Sequence, residues 1–118
     1  TKAAIKEGIV PGGGIALLNA SQHIKTKDEA ELVLLNAITY PFKVILNNAG
    51  IDYTDTLVKN KGEGLNVITG KTVNMIKAGI IDPLLVTKSA LVNAVSVATT
   101  ILSTDCVINN LRINEGGR

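Results

Sequence analysis

Gly64-Leu65-Asn66-Val67-Ile68-Thr69, followed by Asn74-Met75-Ile76 and Gly79-Ile80-Ile81-Asp82-Pro83, is the stretch on which the reading of this chain turns. Alone it is ordinary turn chemistry, with glycines, asparagines and a proline between short apolar runs. A second stretch, Glu7-Gly8-Ile9-Val10-Pro11-Gly12-Gly13-Gly14, changes its meaning. The two lie far apart in sequence, and what they mean depends on whether they fold together.

The flanking pattern is mostly helical. Thr1 to Glu7 reads as the end of a helix stopped by Gly8, so the chain starts inside an element, a hint of truncation. Pro11 to Gly14 is a turn, and Ile15, Ala16, Leu17, Leu18 and Ala20 form a short apolar helix ending near His23. Thr26-Lys27-Asp28-Glu29 reads as a capping box, with the Thr26 hydroxyl at the N-cap and the Glu29 carboxylate three residues on. That helix runs through Leu32 to Tyr40, where Pro41 either kinks it or begins another. Gly50 ends the segment. Asp52 can cap a further helix through Leu57 and Val58. Lys61 to Gly64 breaks it, Leu65 to Thr69 is expected as a short strand or hairpin, and Asn74 to Ala78 as one helical turn ended by Gly79.

The last helix has the clearest pattern. From Val86 to Ser103 apolar residues surround most of the circumference, interrupted by Ser89, Asn93, Ser96, Thr100 and Ser103 on one narrow stripe. No charge lies between Lys88 and Asp105. A helix apolar nearly all round is expected to be buried. Cys106 to Ile108 then reads as a short strand.

Composition excludes several classes. Hydrophobic residues make up 46% of the 118, and aromatics only 3%, so the core must be aliphatic. The net charge is +2, with no Lys/Arg block, and few aromatics are available to stack on bases, so no nucleic-acid partner is expected. One cysteine, Cys106, forbids a disulfide within the chain, and the lone His23 reads as a helix-end or surface residue. No uninterrupted apolar run of about 18 residues is present, so no membrane span is expected. No signal or transit peptide is visible at Thr1.

Gly70-Lys71-Thr72 imitates the end of a Walker phosphate loop. The spacing fails, because Leu65 stands five residues before Gly70 and Gly64 lies one residue too early. The stretch reads instead as a polar turn at a hairpin tip. Gly12-Gly13-Gly14 opens a helix, so its backbone could face an anion or let a ligand approach closely. Asp82 has two readings: a cap for the last helix, with Pro83 in its first turn, or a carboxylate that accepts hydrogen bonds from a sugar. Asn66 could pair with a base edge, though asparagine in a turn is the commoner case.

Taken together, Ala3 to Gly14, Gly64-Leu65-Asn66, Asn74-Met75-Ile76, Gly79 to Pro83 and Thr87-Lys88-Ser89-Ala90-Leu91 resemble the C-terminal part of the equatorial domain of group I chaperonins. Thr104-Asp105-Cys106-Val107 resembles the start of that domain's last strand. The fold this implies is mainly α: a multihelical equatorial-domain fragment over residues 1–118 with one or two short β-hairpins or strands.

The resemblance implies a function for the intact protein. It would be an ATP hydrolase whose heptameric rings enclose unfolded client polypeptides, with a co-chaperonin bound through an apical domain outside this chain. By the same resemblance, Gly13 contributes backbone near the adenosine, Asn66, Val67 and Ile68 line the adenine, Ile80 packs beside it, and Asp82 reaches the ribose. Cys106, Val107, Ile108 and Asn109 would pair with a neighbouring subunit. ATP would be bound with Mg2+, whose ligands lie outside this chain, as do the catalytic aspartates. No catalytic residue and no metal ligand is therefore expected here, and the isolated chain is expected neither to hydrolyse ATP nor to bind it tightly.

Some positions depart from the family pattern. Val67 and Ile68 stand where alanines are common, Gly70-Lys71 where an acidic pair is common, and Leu84-Leu85 in place of Thr-Lys. Leu111 to Arg118 matches no family segment. Richness in Ile, Asn and Lys suggests an AT-rich genome, hence a protist or organellar protein; the expected compartment is the mitochondrial matrix, with plastid or bacterial cytoplasm as alternatives. The competing readings are a small helical scaffold or interaction module without a ligand, and a free-standing nucleotide binder that uses Gly70-Lys71-Thr72.

Overall fold

The computed structural model describes the backbone of residues 1–54 and 58–116, with side-chain surroundings up to residue 104. Among the described residues the chain forms helices α1 (Lys2–Glu7), α2 (Ile15–His23), α3 (Glu29–Ala37), α4 (Tyr40–Asn48) and α5 (Leu84–Gly116). Short strands β1 (Ile9–Pro11), β2 (Glu63–Asn66), β3 (Lys71–Asn74) and β4 (Ile81–Pro83) make two antiparallel pairs, β1 with β4 and β2 with β3. The mainly helical class with short hairpins is therefore the observed one.

Several boundaries follow from local chemistry. Gly8 ends α1 at φ 86, and α2 occupies the expected span after the glycine turn. Pro41 begins a helix and does not kink one: it sits in the first turn of α4, where its missing N–H costs nothing. The cap of α3 is Asp28, whose side chain accepts from Glu31 N at 3.1 Å. Thr26, expected as the cap, instead accepts from Asp28 N at 3.1 Å, because α3 begins at Glu29 and Asp28, directly before it, holds the position from which a side chain reaches the third helical N–H.

Two expected elements are corrected. Ile51 to Thr54 and Val58 are not helical, and Asp55 to Leu57 lie outside the described residues. Ile51, Tyr53 and Val58 are used for core packing, so tertiary contact overrides the local helical signal. The strand expected at Cys106 to Ile108 is helical, because α5 continues past Asp105 to Gly116. With no neighbouring strand to pair with among the described residues, the backbone satisfies its own hydrogen bonds within the helix.

The core lies between α2, α4 and the β2–β3 hairpin. Ile15, Leu18, Phe42, Leu46, Val58, Leu65 and Met75 form one buried cluster, and Tyr53 meets Phe42 edge-on at 5.9 Å. Gly14 makes the junction of α2 and α4 tight. It adopts φ 79, and a Cβ there would lie 2.7 Å from the Phe42 backbone nitrogen. Gly64 lets β2 press on α2, since a Cβ would fall 2.5 Å from Ile15 Cγ1.

Helix α5 stands apart from that core. Within this chain it meets chiefly α1 and β4, with Lys88 Nζ 2.8 Å from Glu7 Oε2. The pair is partly solvated and contributes about 0–1 kcal/mol. Expected to be buried, α5 instead exposes Val92, Val97, Ile101 and Leu102, the last at 67%. Its Leu84–Thr104 portion, 21 residues, is long and apolar enough to cross a membrane by length and composition. The apolar run is interrupted, as the sequence reading had it, by small uncharged residues that leave its mean character apolar. Two hydroxyls of the polar stripe bond back along the helix, Thr100 Oγ1 donating to Ser96 O at 3.0 Å and Ser103 Oγ to Thr99 O at 2.9 Å.

Two outcomes are expected. Gly14→Ala combines left-handed strain with a backbone collision, and should cost about 2–4 kcal/mol in denaturant unfolding. Gly70→Ala, at φ 68 but facing open space, should cost only about 1–2 kcal/mol. Equal losses would show that the Gly14–Phe42 approach is not tight. The bare flank of α5 should drive the purified chain into oligomers. A dilute monomer in light scattering would contradict this.

Candidate functional site

Backbone pairing of two distant segments builds the site. The β1–β4 register sets Ile9 opposite Pro83, Val10 opposite Asp82 and Pro11 opposite Ile81. Two further bonds extend the clasp: Gly12 N donates to Ile80 O at 2.8 Å, and Leu84 N to Gly8 O at 3.1 Å. The glycine turn is thereby fixed against the start of α5. Gly12 must be small here, because a Cβ would lie 3.1 Å from the Ile80 carbonyl carbon.

The clasp forms the floor of a cleft of about 760 Å³. Gly13 and Asp82 both line it. Pro11, Ala16 and Leu17 supply one wall, and Thr87, Ala90 and Leu91 of α5 face it. Leu34 and Ala37 of α3 and Ile45 of α4 close the far side. The lining is apolar apart from a few groups, which is the character of a small-molecule site. Asp82 is exposed and pairs with Val10 through its backbone in β4, while its side chain makes no hydrogen bond or ion pair among the described residues. Its carboxylate remains open to accept from a ligand hydroxyl. It lies two residues ahead of α5, so the capping reading loses to position. Thr87 bonds its hydroxyl to Pro83 O at 3.4 Å.

The other expected site residues are placed differently. Asn66 ends β2, and its side-chain oxygen accepts from Ile68 N at 3.0 Å and Thr69 N at 3.4 Å. This is the turn role that its type favours. Val67 and Ile68 form the hairpin tip, with Ile68 92% exposed. Ile80 packs half-buried on the core and holds Gly12 through its carbonyl. None of these four lines the cleft shared by Gly13 and Asp82. Side chains of Cys106 to Asn109 lie outside the described residues, and only their helical backbone is defined.

Gly70-Lys71-Thr72 sits where the turn meets β3, with Lys71 paired to Asn66 across the hairpin. The strand β3, not a helix, follows directly, so no helix N-terminus stands at this turn to meet phosphate. His23 is at the end of α2, with Nδ1 2.8 Å from Asn19 O, as a helix-end histidine should be. Among the described residues no group of His, Cys, Asp and Glu could hold a metal. The α3 and α4 walls of the cleft escaped the sequence reading. The only signal for them was a set of apolar residues, which every core helix also carries.

The TCP-1/cpn60 chaperonin family model matches residues 1–112, and the chain belongs to that family. A solved group III chaperonin in the open state is similar over 86% of this chain, with 28% identity and a TM-score of 0.71. The chain spans 24% of the length of that structure's chain.

Replacing Lys71 by Ala is expected to leave nucleotide affinity unchanged in a family-length protein that carries this segment, measured by calorimetric titration. A loss of about tenfold or more, the size of one charged hydrogen bond, would restore the phosphate-loop reading.

Proposed function

We propose that these 118 residues are the C-terminal half of a chaperonin equatorial domain and contribute the adenosine side of an ATP pocket. The observation that carries this is the meeting of Gly13 and Asp82 in one apolar cleft, with an unengaged carboxylate at its edge. The turn backbone at Gly13 can approach a planar ligand without a side chain in the way. Asp82 can accept from ribose hydroxyls. Ile80 fixes the turn from behind, and Asn66, Val67 and Ile68 on the hairpin tip complete the adenine side once nucleotide is bound.

In this reading the phosphates, the Mg2+ and the group that activates water are handled by the rest of the polypeptide. Gly13 and Asp82 therefore orient the nucleotide and transfer no proton. Hydrolysis needs metal-stabilised phosphates and a positioned water. The larger assembly is a protein-folding machine. Its rings are heptameric if the group I resemblance of the two motif stretches holds. Unfolded clients and a co-chaperonin bind through other domains, and subunits meet through Cys106 to Asn109 of α5. The compartment that fits is the mitochondrial matrix.

The group III likeness favours a second reading of the ring alone, one with a different symmetry. Single-particle images of the family-length protein decide between them. The scaffold reading without a ligand has less support, because it gives Asp82 no task.

The test of the site is Asp82→Ala in the family-length protein. ATP affinity should fall about tenfold, as expected for one lost hydrogen bond to a charged acceptor. Unchanged affinity would remove Asp82 from the pocket. The pure 118-residue chain should show no ATP turnover above background, and measurable turnover would contradict the division of labour.

A further inference from the structure

Asn66 closes β2 where the chain turns back into β3, and three backbone N–H groups converge on it. Its side-chain Oδ1 accepts from Ile68 N at 3.0 Å and from Thr69 N at 3.4 Å, and its carbonyl accepts from Gly70 N at 2.8 Å. Gly70, at φ 68, then returns the chain to β3. Little else supports this tip. Ile68 and Thr69 are exposed, and a Cβ at Gly70 would meet no atom within 4 Å. The shape of the turn therefore rests on Asn66.

These bonds decide what Asn66 can do for a ligand. An amide side chain carries one oxygen with two lone pairs and one NH2 donor. Two N–H groups already hold the oxygen, which closes it to the amino group of a base. The Val67 N–H and carbonyl and the Ile68 carbonyl, by contrast, have no hydrogen-bond partner among the described residues. A short polar side chain that bonds the backbone two residues on fixes a turn before any ligand arrives. A loop ordered in advance spares part of the ordering cost of binding.

We infer that Asn66 is a positioning residue of the nucleotide pocket. Its Oδ1 holds the Val67–Thr69 turn so that the open backbone groups of the turn meet the base, and its own amide does not read the base. The inference rests on the adenosine-side reading above. It moves base recognition from the Asn66 side chain to the turn that this side chain holds. A second asparagine supplies the contrast. Asn74 Oδ1 accepts from Lys77 N at 3.0 Å, and its carbonyl accepts from Ala78 N at 2.9 Å. That is the same chemistry at the turn after β3, but this turn has further support, because Ile80 N donates to Met75 O at 2.9 Å and Met75 is buried in the core.

Four substitutions in the family-length protein separate the roles, read by calorimetric ATP titration and steady-state turnover. Asn66→Asp keeps an acceptor of the same reach and removes the NH2. Asn66→Gln keeps the amide but is one methylene too long to close the same turn. Asn66→Ala removes both. Asn66→Asp should bind ATP within about twofold of the unaltered protein, whereas Asn66→Gln and Asn66→Ala should lose about fivefold, the size of one net hydrogen bond. The loss should raise KM and leave kcat unchanged. The amides of residues 67–70 should exchange with deuterated solvent at least about threefold faster in Asn66→Gln and Asn66→Ala, and at the unaltered rate in Asn66→Asp. Asn74→Ala should leave ATP affinity unchanged.

Equal losses in Asn66→Asp and Asn66→Ala, with Asn66→Gln spared, would show that the amide reads the base and would overturn the inference while leaving the pocket in place. A loss in Asn74→Ala as large as in Asn66→Ala would mean a general loosening of the hairpin and would also overturn it. If no Asn66 variant alters affinity while Asp82→Ala does, only the inference fails; if Asp82→Ala is silent too, the adenosine-side reading fails with it.

Discussion

The backbone clasp between residues 8–12 and 80–84 is the constraint on which the rest depends. It consists of the β1–β4 pairing and the flanking bonds from Gly12 N to Ile80 O and from Leu84 N to Gly8 O. Most of the core, Phe42, Leu46, Val58 and Leu65 included, lies in sequence between its halves. Closing so long a loop costs chain entropy, which the strand pair alone cannot offset. Core burial under α2 and α4 supplies the rest. In return the clasp sets the glycine turn, Asp82 and the first turn of α5 in one fixed relation, and that relation makes a cleft.

Glycine placement shows how packing and function share residues. Gly14 is needed because α4 passes against it, and Gly64 because Ile15 fills the space where a side chain would go. Gly64 belonged to the motif that identified the chain, yet its observed role is steric. Gly13 has both characters. A Cβ there would lie 2.9 Å from Met75 Cε, and its backbone borders the cleft. A family signature can thus record core geometry as much as ligand contact.

The sequence revealed the helices with strong punctuation. Gly8, the Pro11 to Gly14 turn, Pro41 and Gly50 each mark an observed boundary. It also revealed the hairpin, and the pairing of two remote motifs around Gly13 and Asp82. It failed where tertiary contact competes with local preference. Tyr53 leaves the expected helix to reach Phe42, and Cys106 to Ile108 remain in α5 without a strand to join. The site was legible where a residue type is unusual for its place, as with an aspartate ahead of a proline. It was illegible where the wall is plain hydrocarbon, as with Leu34 and Ala37.

A structure of the family-length protein with bound ADP tests the central claim most directly. The ribose hydroxyls should lie about 3 Å from the Asp82 carboxylate, at hydrogen-bonding distance, with the Gly13 backbone against the nucleoside. Nucleotide bound elsewhere, with protein side chains filling the space between Gly13 and Asp82, would contradict it.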